Sequence, residues 1–351
     1  MKSKCLSTAI GSMPFADAQR AVALSLEKLD APIWPQLPKL GLREQMEVQY
    51  SEGMPRAVID EAKGRMYFDT SGDYSEAFAE FYEQYMADCE DDSSGFDAAA
   101  ISPEFSKGVY AMESALSGGE KRPFLKVQTT GPCSFALTIV DENKRAVYYN
   151  EEFRDVVIKA LAMKCRWQLR KFRPYADKFI CFIDEPILSA FGSSTYVSVK
   201  REDVVAALAE VIDAVHGEGA LAGVHCCGNT EWSILIDAGA DIVNFDAFSY
   251  GDTIAMYADH VKKHLENGGM LAWGVVPTSE EIRGQTAESL EAKLEEGMDG
   301  LAAKGISKQL ILEQAILTPS CGTGSLAEED ALRVFDLLSQ LTARVKEKYG
   351  F

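Results

Sequence analysis

Residues 220–229 read Ala220-Leu221-Ala222-Gly223-Val224-His225-Cys226-Cys227-Gly228-Asn229, an apolar run that ends in a histidine, two cysteines and a glycine turn. A short apolar run bounded by a turn is typical of a buried strand. Side chains alternate between the two faces of a strand, so His225 and Cys227 are expected on one face and Cys226 on the other. The stretch therefore predicts a buried strand with two candidate metal ligands at its end.

The same pattern, a short strand that ends in polar residues, recurs along the chain. Strands are predicted at residues 5–10, 96–101, 124–129, 178–183, 220–224, 241–245, 270–276 and 309–313. Helices are predicted at 17–29, 75–89, 150–172, 201–216, 253–264, 289–304 and 328–348. Strands separated by such helices imply parallel βαβ units, and about eight units fit this length. We therefore predict an α/β fold of the (β/α)₈ TIM-barrel type. An open doubly wound sheet is the alternative, disfavoured because no G-x-G-x-x-G motif follows the first strand.

The whole chain, residues 1–351, is expected to form one domain. Pro32, Pro35 and Pro38 interrupt regular structure after the first predicted helix. Proline removes a backbone donor and breaks helices and central strands. Residues 1–75 are therefore predicted to include an N-terminal extension that packs across one end of the barrel.

Composition excludes several classes of partner. The formal net charge is -19, which argues against binding to nucleic acid or to an anionic membrane surface. No run of 18 apolar residues is present, so no membrane span is expected. The eight cysteines are scattered through mostly apolar contexts, as in a protein of the reducing cytosol, so the predicted location is cytoplasmic.

Residues with possible chemistry follow the predicted strands, and in a parallel barrel such positions share the face that carries the active site. They are Ser12, Glu104, Asp184, Glu185, His225, Cys227, Asp246 and Cys321. The remaining histidines lie on predicted helices and are not expected to be ligands.

Three of these residues match the ligand preferences of Zn²⁺, which binds imidazole and thiolate. His225, Cys227 and Cys321 would leave a fourth position open, and Asp246 is a candidate to fill or share it. Thiolate-rich coordination suits the binding of a substrate thiol as thiolate. A purely structural His-x-Cys pair, or Cys226 and Cys227 as a redox couple, are the alternatives.

Two carboxylates adjoin each other in Asp184-Glu185-Pro186. Adjacent residues at a strand end point in opposite directions, so one can enter the pocket while the other binds backbone or a cation. The alternative for this pair, and for Glu104, is an ordinary loop start.

Short segments at the predicted strand ends carry a resemblance to a known superfamily. They are Ile10-Gly11-Ser12-Met13-Pro14, Ile101-Ser102-Pro103-Glu104, Thr130-Gly131-Pro132, Ile183-Asp184-Glu185-Pro186, His225-Cys226-Cys227-Gly228-Asn229, Val243-Asn244-Phe245-Asp246 and Thr318-Pro319-Ser320-Cys321-Gly322. Nearly from end to end, the chain resembles the superfamily of cobalamin-independent methionine synthase and uroporphyrinogen decarboxylase. Gly228-Asn229 is closer to the corrinoid-dependent branch, whose enzymes move methyl groups between a corrinoid protein and a thiol. Uroporphyrinogen decarboxylase itself fits less well, because residues 11–17 lack its arginine-rich motif.

The resemblance implies a single barrel like the C-terminal catalytic barrel of methionine synthase. It implies that Ile10 and Ser12 hold a substrate carboxylate, that Asp184 binds the substrate amine, and that Glu104 lies beside the substrate. Asp184 and Glu104 are then the expected catalytic residues. The implied metal ligands are His225, Cys227 and Cys321, with Asp246 in place of a glutamate.

The expected activity is zinc-dependent transfer of a methyl group to a thiol, with homocysteine the first candidate. The donor would be a methylated corrinoid, free or on a corrinoid protein, or methyltetrahydrofolate. A methyltransferase for another thiol such as coenzyme M, a decarboxylase-like lyase, and a non-catalytic zinc- or corrinoid-binding protein are the alternatives.

Overall fold

A curled parallel sheet of seven strands organises the molecule, in the arrangement of a TIM-like barrel. The computed structural model describes residues 2–91 and 93–351. Its strands are β1 Leu6–Ser7, β2 Ala57–Asp60, β3 Arg65–Phe68, β4 Arg122–Thr130, β5 Ala176–Asp184, β6 Leu221–Cys226, β7 Ile242–Phe245, β8 Met270–Val276 and β9 Ala315–Pro319. The sheet order is β1-β9-β8-β7-β6-β5-β4, and β2 and β3 form a separate antiparallel hairpin. The carboxyl ends of all seven parallel strands therefore meet at one edge.

Helices connect the strands and cover the outside of the sheet. They are α1 Ala18–Lys28, α2 Met46–Tyr50, α3 Ser75–Cys89, α4 Ser93–Ala98, α5 Lys107–Leu116, α6 Pro132–Thr138, α7 Glu151–Phe172, α8 Arg201–Gly217, α9 Ser233–Asp237, α10 Ala247–Tyr250, α11 Ala258–Glu266, α12 Ala287–Ala302, α13 Lys308–Glu313 and α14 Glu328–Tyr349. Side-chain caps begin several of them; Asp17, for example, accepts the N–H groups of Gln19 and Arg20 at α1. Within the described ranges, no helix has the length and apolarity needed to cross a membrane.

Two predicted strands are helices. Residues 96–101 are predicted as a strand, but α4 covers Ser93–Ala98 and the chain leaves regular structure after it. Residues 309–313 were also expected as a strand, but the Ser307 hydroxyl caps α13 there and β9 begins only at Ala315. A short apolar run does not by itself distinguish a buried helix from a strand.

An irregular segment, residues 31–36, lies between the edge strands β1 and β4; we call it the edge segment. Its Ala31 N–H donates to Ser7 O at 2.9 Å, and its Pro32 O accepts the Lys126 N–H at 2.8 Å. Isolated bridges to Ser12 and Lys126 complete these contacts. An eighth strand is not part of the sheet within the described residues, and the edge segment stands where one was expected.

The inside of the curled sheet holds its own apolar cluster, distinct from the larger core between sheet and helices. Its buried members are Leu6, Ile10, Ala31, Ile180, Phe182, Ile242, Met270, Ala272 and Ile316. They come from the edge segment and from strands on both sides of it. The interior is therefore packed, and a site can form only above it, at the carboxyl ends of the strands.

Candidate metal and substrate site

Three predicted ligands come together at the carboxyl edge of the sheet. The ligand atoms of His225, Cys227 and Cys321 all lie within 4.8 Å of one another. His225 belongs to β6, Cys227 follows it, and Cys321 follows β9 three strands away. Strands at that separation in a flat sheet would be about 14 Å apart. The curl of the sheet is therefore what brings the three side chains to one point.

The imidazole of His225 is held in a single orientation by Asn244 on the adjacent strand. Asn244 Nδ2 donates to Ala272 O and to Thr318 Oγ1, both at 2.9 Å, so its Oδ1 must face His225. The His225 Nδ1–H then donates to that oxygen at 2.5 Å. Nε2 is buried without a hydrogen-bond partner among the described residues. This tautomer leaves the Nε2 lone pair free, as metal-binding histidines require.

Cys227 and Cys321 lie close enough for each thiol to shift the pKa of the other. The neighbouring Cys321 thiol, together with His225, lowers the pKa of Cys227 to about 4 despite burial. The same contact with Cys227 raises the pKa of Cys321. Burial disfavours the charged imidazole, yet the Cys227 sulfur and the Asp184 carboxylate raise the pKa of His225. One thiolate is therefore available at neutral pH, and thiolate is the form that binds metals.

These residues fit a zinc ion. Zn²⁺ takes nitrogen and sulfur ligands in sets of this kind, and catalytic sites use three protein ligands with one position left open. A buried imidazole nitrogen without a partner would be costly unless a ligand satisfied it. His225, Cys227 and Cys321 are therefore the residues that would hold the ion.

The neighbouring residues take other roles. Cys226 is fully buried and its Sγ lies 3.5 Å from Gly228 O, away from the three ligand atoms. Asp246 begins α10, where its side chain accepts the Ser249 N–H at 2.8 Å, and it is not part of the ligand cluster. Its role as a fourth ligand stays a prediction.

A cavity of about 400 Å³ opens directly over the three ligands. It is lined by Ile10, Ser12, Gln36, Pro38, Glu44, Gln45, Met46, Asp184, Pro186, His225, Cys227, Cys321, Gly322, Gly324 and Ser325. Residues 36–46 therefore supply one wall, and the strand ends supply the floor. Among the described residues of this lining there is no lysine or arginine, and its acidic groups are the Glu44 and Asp184 carboxyls and the two cysteine thiols.

The two adjacent carboxylates at the end of β5 point in opposite directions. Asp184 lines the cavity, and its Oδ1 is buried without a hydrogen-bond partner in the described chain. Burial raises the pKa of Asp184, while His225 and Lys126 oppose the shift. A carboxyl group that lines a cavity and keeps a buried oxygen without a partner is suited to accept a hydrogen bond from a ligand.

Glu185 instead holds the N-terminus of α6. It accepts the backbone N–H groups of Cys133 at 2.9 Å and Ser134 at 2.7 Å, and the Ser134 hydroxyl at 2.7 Å. Burial raises the pKa of Glu185 to about 7. Its neighbour Gly131 leaves the carboxylate its space, because a Cβ there would lie 2.2 Å from the Glu185 side chain.

The turn at residues 10–12 forms the opposite side of the cavity floor and is tied to the loop that carries Cys321. Ser12 O accepts the Thr323 N–H at 2.8 Å, and Ser12 Oγ accepts the Gly324 N–H at 3.3 Å. A Cβ at Gly322 would lie 2.1 Å from Ser12 Oγ, so glycine permits this close approach. The predicted substrate residues Ile10 and Ser12 both line the cavity.

Glu104 lies away from the other predicted site residues. Its side chain is 76% exposed, pairs with Arg43 at 3.3 Å, and does not line the cavity. The expectation rested on a strand at 96–101, and that segment is helical instead. Glu104 therefore does not follow a strand of the sheet, and its roles in catalysis and substrate binding stay predictions that the described contacts do not support.

Sequence reasoning missed two residues that shape the site, Asn244 and Lys126. Asn244 follows Val243 and precedes Phe245 in a buried strand, and Lys126 lies between Leu125 and Val127. A polar residue in the middle of a buried strand was the available signal, since such groups are retained only with partners.

Comparison with known proteins supports the fold. No protein-family model matches the chain, and no curated protein sequence matches it. Among solved structures, the chain is similar to a methyltransferase from Methanosarcina mazei, with a TM-score of 0.58 and 14% sequence identity. The match covers 98% of this chain and 93% of that one. At this identity the likeness shows a shared α/β barrel-like fold.

A second solved structure is a B12-independent methionine synthase from Shewanella sp. W3-18-1 in complex with selenomethionine. Its TM-score is 0.44 at 13% identity, over 69% of this chain and 67% of that one.

Proposed function

We propose that this protein is a zinc-dependent methyltransferase that transfers a methyl group to a thiol, with homocysteine as the acceptor. In this proposal residues 1–351 form one catalytic barrel. The similar solved structure is named a methyltransferase, and the proposal extends that activity to this chain. The observation that carries it is the cluster of His225, Cys227 and Cys321 at the floor of a cavity.

The residues of the site have separate tasks in this reaction. Zn²⁺, when bound, supplies the Lewis acidity that keeps a thiol ionised at neutral pH. Asn244 keeps the lone pair of His225 Nε2 available by accepting the Nδ1–H. The cavity walls fix the acceptor and restrict water, so that alignment of sulfur with the incoming methyl group provides much of the rate acceleration.

The charges of the cavity support an acceptor with an ammonium group. Asp184 lines the cavity, its Oδ1 has no hydrogen-bond partner among the described residues, and the described lining has no lysine or arginine. The sulfonate of a coenzyme M-like thiol would find no side-chain cation there. Homocysteine would place its ammonium group at Asp184 and its carboxylate against the turn at residues 10–12, where backbone and Ser12 donors meet it.

The proposed donor is a methylated corrinoid delivered from outside the cavity. A cavity of about 400 Å³ is sized for a small thiol, so a large methyl carrier would have to meet its mouth. Loops at the same edge of the sheet expose Val197 (83%) and Met256 (71%), large apolar side chains of the kind found at protein contacts. A corrinoid protein is therefore the proposed partner, and free methylcobalamin or methyltetrahydrofolate are the donors to compare with it.

Two other functions remain to be separated by assay. A lyase on the same barrel would keep its activity when zinc is removed. A zinc- or corrinoid-binding protein without catalysis would bind its ligand tightly and transfer no methyl group.

The deciding experiment uses the full chain purified without added metal. Methyl transfer to homocysteine and to coenzyme M is measured with methylcobalamin and with methyltetrahydrofolate, before and after chelation. We expect S-methylation of homocysteine that is lost on chelation and restored by zinc. Absence of methyl transfer to either thiol with both donors, or activity indifferent to chelators, would contradict the proposal.

A further inference from the structure

A buried lysine lies beneath the cavity and faces the inside of the curled sheet. Lys126, in the middle of β4, is fully buried. Its Nζ donates to Ile10 O and, at 3.2 Å, to Gln128 Oε1. The same ammonium group lies 4.5 Å from the centre of the Phe182 ring. A buried cation of this kind is expensive to keep, so its contacts are informative.

The contact with Ile10 connects Lys126 to the cavity floor. Ile10 lines the cavity and begins the turn at residues 10–12. Ser12, at the end of that turn, accepts N–H groups from Thr323 and Gly324. The chain of contacts thus runs from the ammonium group through the turn to the loop that follows Cys321.

The charge of Lys126 also matters because the described residues that line the cavity include no lysine or arginine. Burial lowers the pKa of Lys126 to about 8, and Asp184 acts in the opposite direction. At neutral pH the ammonium form predominates and sits under the turn where the acceptor carboxylate is proposed to bind. Its hydrogen bond to Ile10 O polarises the backbone of that turn toward an anion.

We propose that Lys126 is a positioning residue, which fixes the turn at residues 10–12 and thereby sets the affinity of the site for the carboxylate end of the acceptor thiol. This inference rests on the proposed function. Lys126 does not line the cavity, so it acts through the turn and touches no reacting atom.

Lys164 provides a matched control. It is also almost fully buried, and its Nζ donates to a backbone carbonyl, Ala100 O, at 2.8 Å. Burial lowers its pKa to about 8 as well. Lys164 lies on α7 and lines a separate small pocket on the outer side, remote from the three ligands. Replacing either lysine by methionine removes a buried ammonium group, but only one of them contacts the turn.

The test measures binding of two thiols to the full chain loaded with Co²⁺, by the sulfur-to-cobalt absorption band and by calorimetry. The thiols are homocysteine and 3-aminopropane-1-thiol, which is homocysteine without its carboxylate. We expect Lys126→Met to weaken the binding of homocysteine about tenfold or more. The binding of the carboxylate-free thiol should weaken less than about twofold. Lys164→Met should leave both affinities unchanged. If Lys126→Met does not fold, Lys126→Gln should show the same selective loss, of about threefold or more.

The outcomes separate the two proposals. If the parent protein binds neither thiol, the proposed function fails. If the parent binds both but the Lys126 variants lose both equally, or lose no more than Lys164→Met, the positioning role of Lys126 is overturned and the proposed function stands.

Discussion

The two sides of the sheet are held together by different means. On the side of β6 to β9, which we call the regular side, parallel pairing with a register shift between Gly274 and Val276 places His225 opposite Asn244. On the side of β1 and β4, the edge segment replaces a regular strand, and side chains complete its bonding. Gln128 Nε2 donates to Trp34 O at 2.9 Å, and Thr8 Oγ1 donates to Ala31 O at 2.8 Å. The ligand cluster thus stands on the regular side, and the proposed carboxylate site stands on the irregular side.

This difference suggests that the two sides of the sheet serve different parts of the site. Metal ligands must be held to within a fraction of an ångström, which a strand ladder provides. A substrate carboxylate needs donors in a particular direction, which a turn anchored by buried side chains provides. The predictions below challenge one side at a time, from the largest expected effect to the smallest.

Loss of a ligand on the regular side should have the largest effect. Cys321→Ser is expected to reduce bound zinc from about one ion per chain to below about 0.2 and to reduce methyl transfer at least about 100-fold. Elemental analysis and the homocysteine assay measure both. Cys226→Ser is the control, because Cys226 points away from the cluster; equal zinc loss in both variants would contradict the assignment.

Loss of the residue that orients His225 should be next. Asn244→Ala removes the acceptor of the Nδ1–H and is expected to weaken zinc binding about 10- to 100-fold. Competition with a chromophoric chelator measures the change. Asn244→Asp keeps an acceptor in place and should restore most of the affinity; if it binds zinc as poorly as Asn244→Ala, orientation of the imidazole is not the cause.

On the irregular side, Gln128→Leu should destabilise the fold without affecting the metal. It leaves Trp34 O and the Lys126 ammonium group each without one buried partner, at an expected total cost of about 3 kcal/mol in the free energy of unfolding. Urea denaturation measures this cost, and chelator competition tests that zinc affinity stays within about threefold. A large change in zinc affinity would show that the two sides are not independent.

Glu185 lies where the sides meet, and its raised pKa predicts a pH effect. A carboxyl group whose pKa is higher in the folded than in the unfolded protein stabilises most at low pH, and that stability is lost as pH rises through the folded value of about 7. Between pH 5.5 and 8 the parent should lose about 2 kcal/mol of stability relative to Glu185→Gln. Denaturation of both proteins at the two pH values, with chelator present, measures the difference. Parallel pH profiles would contradict the raised pKa.

Much of the regular side could be predicted from sequence. Alternation of strands and helices predicted the α/β barrel-like fold, and the two-residue period predicted that His225 and Cys227 share a face. Both signals are local, so a single chain reveals them. The proximity of Cys321 to His225 and Cys227 depends on the curl of the sheet. It could be predicted only by assuming a barrel, in which the ends of all strands lie around one face.

The irregular side could not be predicted in the same way. The edge segment has three prolines within or close to it and no alternation, so nothing local indicates that it completes the sheet. The hydrogen bonds of the edge segment come from distant residues; Gln128, which donates to Trp34 O, is 94 positions further along the chain. Glu104 shows the converse. The segment before it was predicted as a strand but is helical, so Glu104 lies on the surface and not at the end of a strand.

The pairing of β1 with β9 has a consequence for biosynthesis. The Ser3 hydroxyl bonds to Ala315 O, 312 positions later, and Cys321 follows that strand. At translation rates of about 5–20 residues per second, the first strand waits roughly 15 s to a minute for its partner. During that interval the nascent chain carries His225 and Cys227 without Cys321, the third residue of the cluster. Assembly of the three-residue cluster therefore cannot be completed before residue 321 has been synthesised.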